Sequence, residues 1–294
     1  MNFISLAELY RDVAVWERQL PQFDAVCGVP RSGLIPAAYI ALRRNIRLVD
    51  LSDLLRQPEG AITRAPLRPN NPICRYKKPY GNKLLIIDDS TSSESATFKE
   101  LREKLAAQTD LQINYGAVYR ASGKSQVDYY YREVSQPRMF EWNWWRNWWA
   151  QFALCDLDGV LCEDWKGKSE VENDLEFAKH VREAAPLYIP QVPIKAVVTS
   201  RIEKYRKDTE DWLAKHNVSY SALIMHPATT PEQRRQMNDH AIRKAKAYAD
   251  TPDEGYKNIT KANFFVESDV RQAAQIFKLT QRPVLCIDSM TMFK

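Results

Sequence analysis

Cysteine is scarce in this chain, and the five present, Cys27, Cys74, Cys155, Cys162 and Cys286, form an odd set without metal-ligand spacing. Three of them lie in apolar, strand-like runs, which is where reduced, buried thiols of a cytosolic protein sit, so no disulfide framework is expected. No apolar run approaches the length needed to cross a bilayer. The first residues, Met1 to Glu8, lack the charged start and apolar stretch of a secretory signal, and a cytoplasmic location without membrane contact is expected. Basic residues form no long run either. The net charge of +5 is mild and suits anionic small molecules such as phosphates at least as well as nucleic acid. What remains is a composition with 45% hydrophobic and 27% charged residues, able to bury a full core. A length of 294 residues points to about two domains.

In the second half, the apolar run Phe152 to Cys155 ends in Asp156-Leu157-Asp158. Side chains alternate along a strand, so Asp156 and Asp158 project to the same side just past its end. Two adjacent carboxylates repel unless a cation or a shared proton compensates, and Mg²⁺ takes carboxylates together with water and phosphate oxygens. A helix over 172–184 follows, then a buried strand, Ile194 to Val198, ending in Thr199-Ser200-Arg201. A hydroxyl and an arginine at a strand's carboxyl end are suited to a transferring phosphoryl group. Beyond a long helix over 202–216 and a strand at 222–225, a basic helix over 234–248 carries Arg243, Lys244 and Lys246. The strand Phe264 to Val266 then ends in Glu267-Ser268-Asp269. Arg201, Tyr205 and Arg206 fit either substrate binding or an ion network on a helix surface. His216, His226 and His240 are expected to be surface or capping residues.

The first half opens with an amphipathic helix up to Leu20. A strand then breaks at Gly28, crosses Val29-Pro30-Arg31-Ser32-Gly33 and feeds a helix over 34–42. Loop amides and the helix N-terminus make this joint an anion cradle. A second strand, Lys83 to Ile87, ends in Asp88-Asp89 and a hydroxyl-rich loop, 90–97, before a helix over 98–105. Such a pairing offers carboxylates to ribose hydroxyls, directly or through a metal, and amides to a phosphate. At the joint of the halves, five of the eight tryptophans fall within 142–149. Either Trp142, Trp145 and Trp149 pack one helix face between the domains, or a ring such as Trp142 stacks on a planar base.

Together, Val29 to Gly33 and Leu85 to Thr97 resemble the pyrophosphate loop and fingerprint of the phosphoribosyltransferases that use phosphoribosyl pyrophosphate (PRPP). The resemblance implies PRPP and phosphate contacts from Pro30, Arg31, Ser32, Gly33, Asp88, Asp89, Ser92, Ser93 and Thr97. It also implies a hood over the site from Arg64 to Lys78. Glu94 and Ser95 stand where that family usually has glycines. The ordered set in the second half resembles the haloacid-dehalogenase-like (HAD) phosphohydrolases. That resemblance implies Asp156 as nucleophile, Asp158 as general acid and base, Thr199 and Lys244 as phosphoryl contacts, and Mg²⁺ held by Asp156, Asp158, Glu267 and Asp269.

The expected architecture is α/β: two doubly wound parallel-sheet domains, phosphoribosyltransferase-like over 1–140 and HAD-like with a minimal cap over 151–294. A Trp-rich segment, 141–150, joins them. The expected function is a bifunctional enzyme of nucleotide metabolism, a glycosyltransferase that joins PRPP to a base and a Mg²⁺-dependent phosphatase that acts on a nucleotide-like product. One alternative makes the first domain a non-catalytic sensor of PRPP or nucleotide; another makes the chain a nucleic-acid end phosphatase. PRPP and a base or nucleotide-like molecule are the expected partners, nucleic acid is not, and association with further copies of the chain is left open.

Overall fold

The computed structural model describes the chain except residues 60, 66–80, 93–95, 108–109, 124–126, 168–170, 172, 258 and 260, and the side chains of residues 63 and 64. Two compact units emerge, one of residues 6–136 and one of residues 1–5 with 137–294. No helix among the described residues is long and apolar enough to cross a membrane.

Strand β1 (Asn2–Ile4) opens the chain and belongs to the second unit. The first unit runs α1 (Leu6–Trp16), β2 (Ala25–Gly28), α2 (Leu34–Arg44), β3 (Arg47–Val49), α3 (Leu51–Arg56), α4 (Ala61–Arg64), β4 (Lys83–Thr91), α5 (Ala96–Leu105), β5 (Gln112–Arg120) and β6 (Tyr129–Glu133). Its strands lie in the order β3-β2-β4-β5-β6, all parallel. A parallel sheet is covered on both faces, which is why Leu84, Leu85, Ile86 and Ile87 are all fully buried in one unbroken apolar run. Leu9, Val13 and Trp16 form the buried stripe of α1. The helix stops there instead of continuing to Leu20: the Arg44 guanidinium takes the backbone carbonyls of Glu17, Leu20 and Pro21, and a residue preceding proline disfavours the helical conformation.

The second unit continues with β7 (Arg138–Phe140), which pairs in parallel with β1, and two 3₁₀ turns, Glu141–Arg146 and Trp148–Phe152. Then come β8 (Ala153–Cys155), α6 (Asp174–Glu183), β9 (Ile194–Ile202), α7 (Arg206–Lys215), β10 (Tyr220–His226), α8 (Pro231–Met237), α9 (His240–Asp250), β11 (Phe264–Glu267), α10 (Val270–Thr280), β12 (Val284–Cys286) and β13 (Thr291–Phe293). The main sheet has the order β10-β9-β8-β11-β12-β13, parallel apart from the terminal β13.

Three expected helices are modified. The aromatic segment is not one helical face: Asn147 is extended, its side chain accepts from the Trp149 N–H at 3.0 Å, and it divides the two 3₁₀ turns. Trp144, Trp145 and Trp149 are buried in the core of the second unit with Phe152, Leu157, Val197 and Trp212, while Trp142 stacks on Phe140 at 5.0 Å. The helix expected over 202–216 begins as a 3₁₀ turn, Glu203–Tyr205, before α7. The basic helix is broken at Asn238, whose left-handed φ of 42° ends α8 and lets α9 restart at His240.

Trp212 is 1% exposed and its Nε1 donates to the Ala184 carbonyl at 2.8 Å. Trp212→Ala is expected to destabilise the second unit by about 3–5 kcal/mol, measured by urea denaturation.

Candidate functional site

Both main sheets have a place where the chain turns from one direction of winding to the other. In the first, β2 connects outward to β3 while β4 connects outward to β5 and β6; in the second, β8 leads to β9 and β10 while β11 leads to β12. Beyond the carboxyl ends of such strand pairs the connections diverge and leave a crevice, the usual ligand position in an open α/β sheet. Among the described residues, Pro30 to Gly33 and Asp156 follow strands of these pairs, Asp88, Asp89 and Glu267 lie in the last residues of theirs, Thr199 and Arg201 are on β9, and Lys244 is on α9.

In the first unit, the register places Gly28, the last residue of β2, opposite Ile87, and β4 runs on past it through Asp88 and Asp89 to Thr91, so the acidic pair stands beside the loop that leaves β2. A Cβ at Gly33 would lie 2.6 Å from the Val29 carbonyl oxygen and 2.7 Å from that of Ile87, so only glycine lets α2 start this close to both strand ends. The Pro30–Arg31 peptide is cis, and both residues are exposed. Ser32 Oγ donates to Asp89 Oδ1 at 2.8 Å, joining the loop to the acidic strand end. The Asp89 N–H donates to Asp88 Oδ1 at 2.8 Å. Burial, then the hydrogen bond and charge of Asp89, push the Asp88 carboxyl up to about 9. Oxygen donors left protonated for want of positive charge fit a hard cation. Ser92 is half-buried, and Thr97 is exposed in the first turn of α5. Ser93, Glu94, Ser95 and residues 66–78 of the expected hood lie outside the described residues.

In the second unit, Asp156 follows β8 and Glu267 ends β11, with Lys244 reaching both from α9. Lys244 Nζ donates to Asp156 Oδ2 at 2.6 Å, Glu267 Oε2 at 2.7 Å and Gln272 Oε1 at 3.1 Å. All three charged groups are buried, at 6%, 0% and 4% exposure for Asp156, Glu267 and Lys244. Burial opposes the Lys244 charge, but the two carboxylates outweigh it and hold the ammonium protonated. Asp156 is pushed well above the usual carboxylate range, first by burial; Lys244 counters this and Glu267 adds to it. The Leu157 N–H donates to Asp156 Oδ1 at 2.9 Å, fixing the second oxygen.

Asp158 belongs to a second ion pair. Arg201, 2% exposed, donates from Nε to both carboxylate oxygens at 3.2 and 3.0 Å and from Nη2 to Oδ1 at 2.6 Å. Burial opposes ionisation of Asp158, and Arg201 with His180 overrides it, so the carboxyl lies well below its usual range. Thr199 is buried and its Oγ1 accepts from the Arg201 N–H at 3.1 Å. Gly159, at φ +81°, lets the turn pass Ser268, with which a Cβ would collide.

Asp156, Lys244 and Glu267 thus meet directly, and Arg201 joins Asp158 to the backbone beside Thr199. The Asp269 side chain caps α10 through the N–H groups of Arg271 and Gln272 at 2.8 and 2.9 Å, and its own N–H donates to Glu267 Oε1 at 3.2 Å. Among the described residues no three carboxylate, histidine or cysteine side chains form a ready metal cluster. Two carboxylates, Asp156 and Glu267, remain suited to Mg²⁺ with phosphate oxygens.

Arg201, read from sequence as a substrate residue or a surface ion, is an internal partner of Asp158. His226 is not on the surface: it is buried, its Nε2 is 3.0 Å from Asp239 Oδ1, and its Nδ1 accepts from the Ala228 N–H. Gln272 and His180, whose Nε2 lies 3.9 Å from Asp158 Oδ1, were not singled out by sequence. Gln272 had one local signal, its place three residues after a helix-capping aspartate; His180 had none.

The first half of the chain is phosphoribosyltransferase-like in sequence. It is similar to the xanthine-guanine phosphoribosyltransferase of Chromohalobacter salexigens, 29% identical over 147 residues, covering 48% of this chain and 82% of that protein. A second such protein, from Idiomarina loihiensis, is 29% identical over 146 residues, covering 48% of this chain and 85% of its own. Among solved structures, the Helicobacter pylori xanthine-guanine-hypoxanthine phosphoribosyltransferase aligns with a TM-score of 0.34 and 16% identity over 48% of this chain and 92% of its own. No family model matches the chain.

Two predictions follow from these electrostatics. Asp88 stays protonated in the folded unit up to about 9, against about 3.9 unfolded, so folding binds a proton between those values and the contribution weakens as pH rises. Asp88→Asn is therefore expected to gain stability relative to wild type between pH 4 and 9, read as the difference in Tm without metal. Lys244→Met leaves Asp156 and Glu267 buried without a counter-charge, and a loss of about 3–5 kcal/mol at neutral pH is expected by chemical denaturation.

Proposed function

We propose that the chain is a bifunctional enzyme, transferring ribose 5-phosphate from PRPP to a purine-like base in the first unit and hydrolysing a phosphomonoester of a nucleotide-like product in the second. For the transferase, sequence similarity to the xanthine-guanine enzymes supports the reading, together with the loop Pro30, Arg31, Ser32 and Gly33 set beside Asp88 and Asp89. Loop amides and the α2 terminus would take the pyrophosphate of PRPP, and the acidic pair the ribose hydroxyls or a cation. Ser92, Ser93 and Thr97 are assigned to the 5-phosphate.

For the HAD-like hydrolase, the observation that carries the reading is Lys244 bonded to both Asp156 and Glu267. Asp156 would attack phosphorus, forming an aspartyl phosphate that water then hydrolyses. Lys244 keeps one oxygen of the nucleophile fixed and supplies positive charge to the transferred group, while Thr199 hydrogen-bonds its oxygens. Asp158, ionised beside Arg201, is in the form that activates water in the second step; protonating the leaving oxygen requires its grip on Arg201 to loosen. Asp156, Glu267 and the Asp158 carbonyl would hold Mg²⁺, which would supply positive charge against the repulsion between two anions.

Pyrophosphate release from PRPP with guanine, xanthine or hypoxanthine, and phosphate release from nucleotides, are measured on three proteins. Asp156→Asn is expected to lose phosphate release by at least about a thousandfold and keep pyrophosphate release. Asp88→Ala/Asp89→Ala is expected to do the reverse. Wild type that liberates no pyrophosphate with any of these bases overturns the transferase half, and phosphate release that survives Asp156→Asn overturns the hydrolase half.

A further inference from the structure

The carboxyl edge of the second sheet carries a cluster that the phosphoryl chemistry does not use. Its centre is Ser200, the residue after Thr199. His240 Nδ1 lies 2.8 Å from Ser200 Oγ, and Arg234 Nη1 donates to the Ser200 carbonyl at 3.4 Å. Three separate elements, β9, α8 and α9, thus converge on the neighbour of the residue assigned to the phosphoryl oxygens.

The direction of α9 decides where this cluster lies. Strands β10 and β11 are members of one parallel array, so the chain between them must return across the sheet, and α9 does so with Ala241, Ala245 and Tyr248 packed on Leu154, Ala196, Val198 and Phe265. Its N-terminus is consequently at the edge where the strands end. His240 and Lys244 are one turn apart on one face of the helix, and four residues at 1.5 Å each put His240 about 6 Å further outward. Lys244 marks the phosphoryl position through its bond to Asp156. A group extending outward from that phosphoryl therefore passes Ser200 and His240.

The electrostatics of this outer position favour an anion. Arg234 and Lys244 act on it, and Asp239, the nearby carboxylate, is shared by Arg243 and His226. The His240 ring responds to that field: burial first, then Arg234, Lys244 and His226, bring its pKa down to about 4, with Asp239 opposing. It is thus a neutral ring in a positive field, able to hydrogen-bond an anion without itself adding charge.

We propose that Ser200, Arg234 and His240 form a subsite for a second phosphate on the leaving-group side, so that the second unit acts on phosphomonoesters that carry another phosphate. The proposal rests on the hydrolase reading above. A neutral imidazole has one N–H, so in the bonded Ser200–His240 pair one member donates to a phosphate oxygen while the other orients it, and a guanidinium pairs with such oxygens in a fixed fork. A nucleoside bisphosphate and a sugar bisphosphate share this chemistry.

The test compares kcat/KM of the full-length protein with Mg²⁺ on a nucleoside 3′,5′-bisphosphate, the corresponding 3′- and 5′-monophosphates, and ribose 1,5-bisphosphate. Wild type is expected to prefer a bisphosphate by at least about tenfold. Arg234→Met and His240→Ala are expected to lower that ratio about tenfold, mainly through KM, and Arg234→Lys to retain most of it. Which bisphosphate is preferred identifies the source. A wild type without preference, or variants that lower the rates on mono- and bisphosphates in parallel, overturns the subsite, since a residue that only ties α9 to β9 affects both alike. If no ester is hydrolysed at all, the hydrolase reading fails. The subsite is then decided by thermal shift: stabilisation by bisphosphate over monophosphate that Arg234→Met removes supports it, and equal stabilisation overturns it.

Discussion

Parallel strands impose a constraint that both units obey. Each parallel strand must be reached by a connection that crosses back over the sheet, so in each main sheet every strand except the antiparallel β13 delivers its carboxyl end to one edge. Where two neighbouring strands send their connections in opposite directions, the backbone opens a cleft that nothing in the sheet itself can fill. Short polar segments after β2 and β4, and after β8 and β11, occupy that edge. The middles of these strands, such as Leu84 to Ile87, are apolar because both faces are covered, and the change to aspartate, serine and threonine toward the carboxyl end is abrupt.

Charge is handled differently at the two edges. In the first unit the acidic pair has Ser32 as a neutral neighbour, and the carboxyl of Asp88 gives up its charge by staying protonated. In the second, Lys244 and Arg201 are built into the structure and keep their partners from being isolated. Buried ion pairs recover their desolvation cost only with well-formed geometry and further hydrogen bonds. Gln272 on Lys244, and Thr209 and the Val181 carbonyl on Arg201, supply such bonds. The first arrangement holds the Asp88 carboxyl protonated, and the second has its counter-charges supplied by the chain itself.

Much of this was readable along the chain. The runs Lys83 to Asp89, Ile194 to Arg201 and Phe264 to Asp269 announced their strands through short apolar stretches that turn abruptly polar, into acids in the first and third and into Thr199-Ser200-Arg201 in the second. The meeting of Asp156, Lys244 and Glu267 was implied by the resemblance of the ordered set to the HAD-like enzymes, and not by local pattern. Helix ends were harder: the stop of α1 at Trp16 depends on Arg44, far along the chain, and the break between α8 and α9 on a left-handed Asn238. The tryptophans at 142, 145 and 149 had helical spacing, yet Asn147 capped a new turn between them because its side chain could reach the Trp149 amide.

Composition, periodicity and turn residues are properties of neighbouring positions, so they sufficed for the α/β class and for the residue types near the strand ends; that residues 1–5 and the Trp-rich segment belong with the second unit is a matter of tertiary packing. Partnership across the sheet is not local. That Arg201 would turn inward to Asp158, that His226 would be buried against Asp239, and that Asp269 would cap a helix follow from which strands finish side by side and how closely α9 and α10 pack on them. A side chain's charge is written in the sequence; the distance to its counter-charge exists only once the chain has folded.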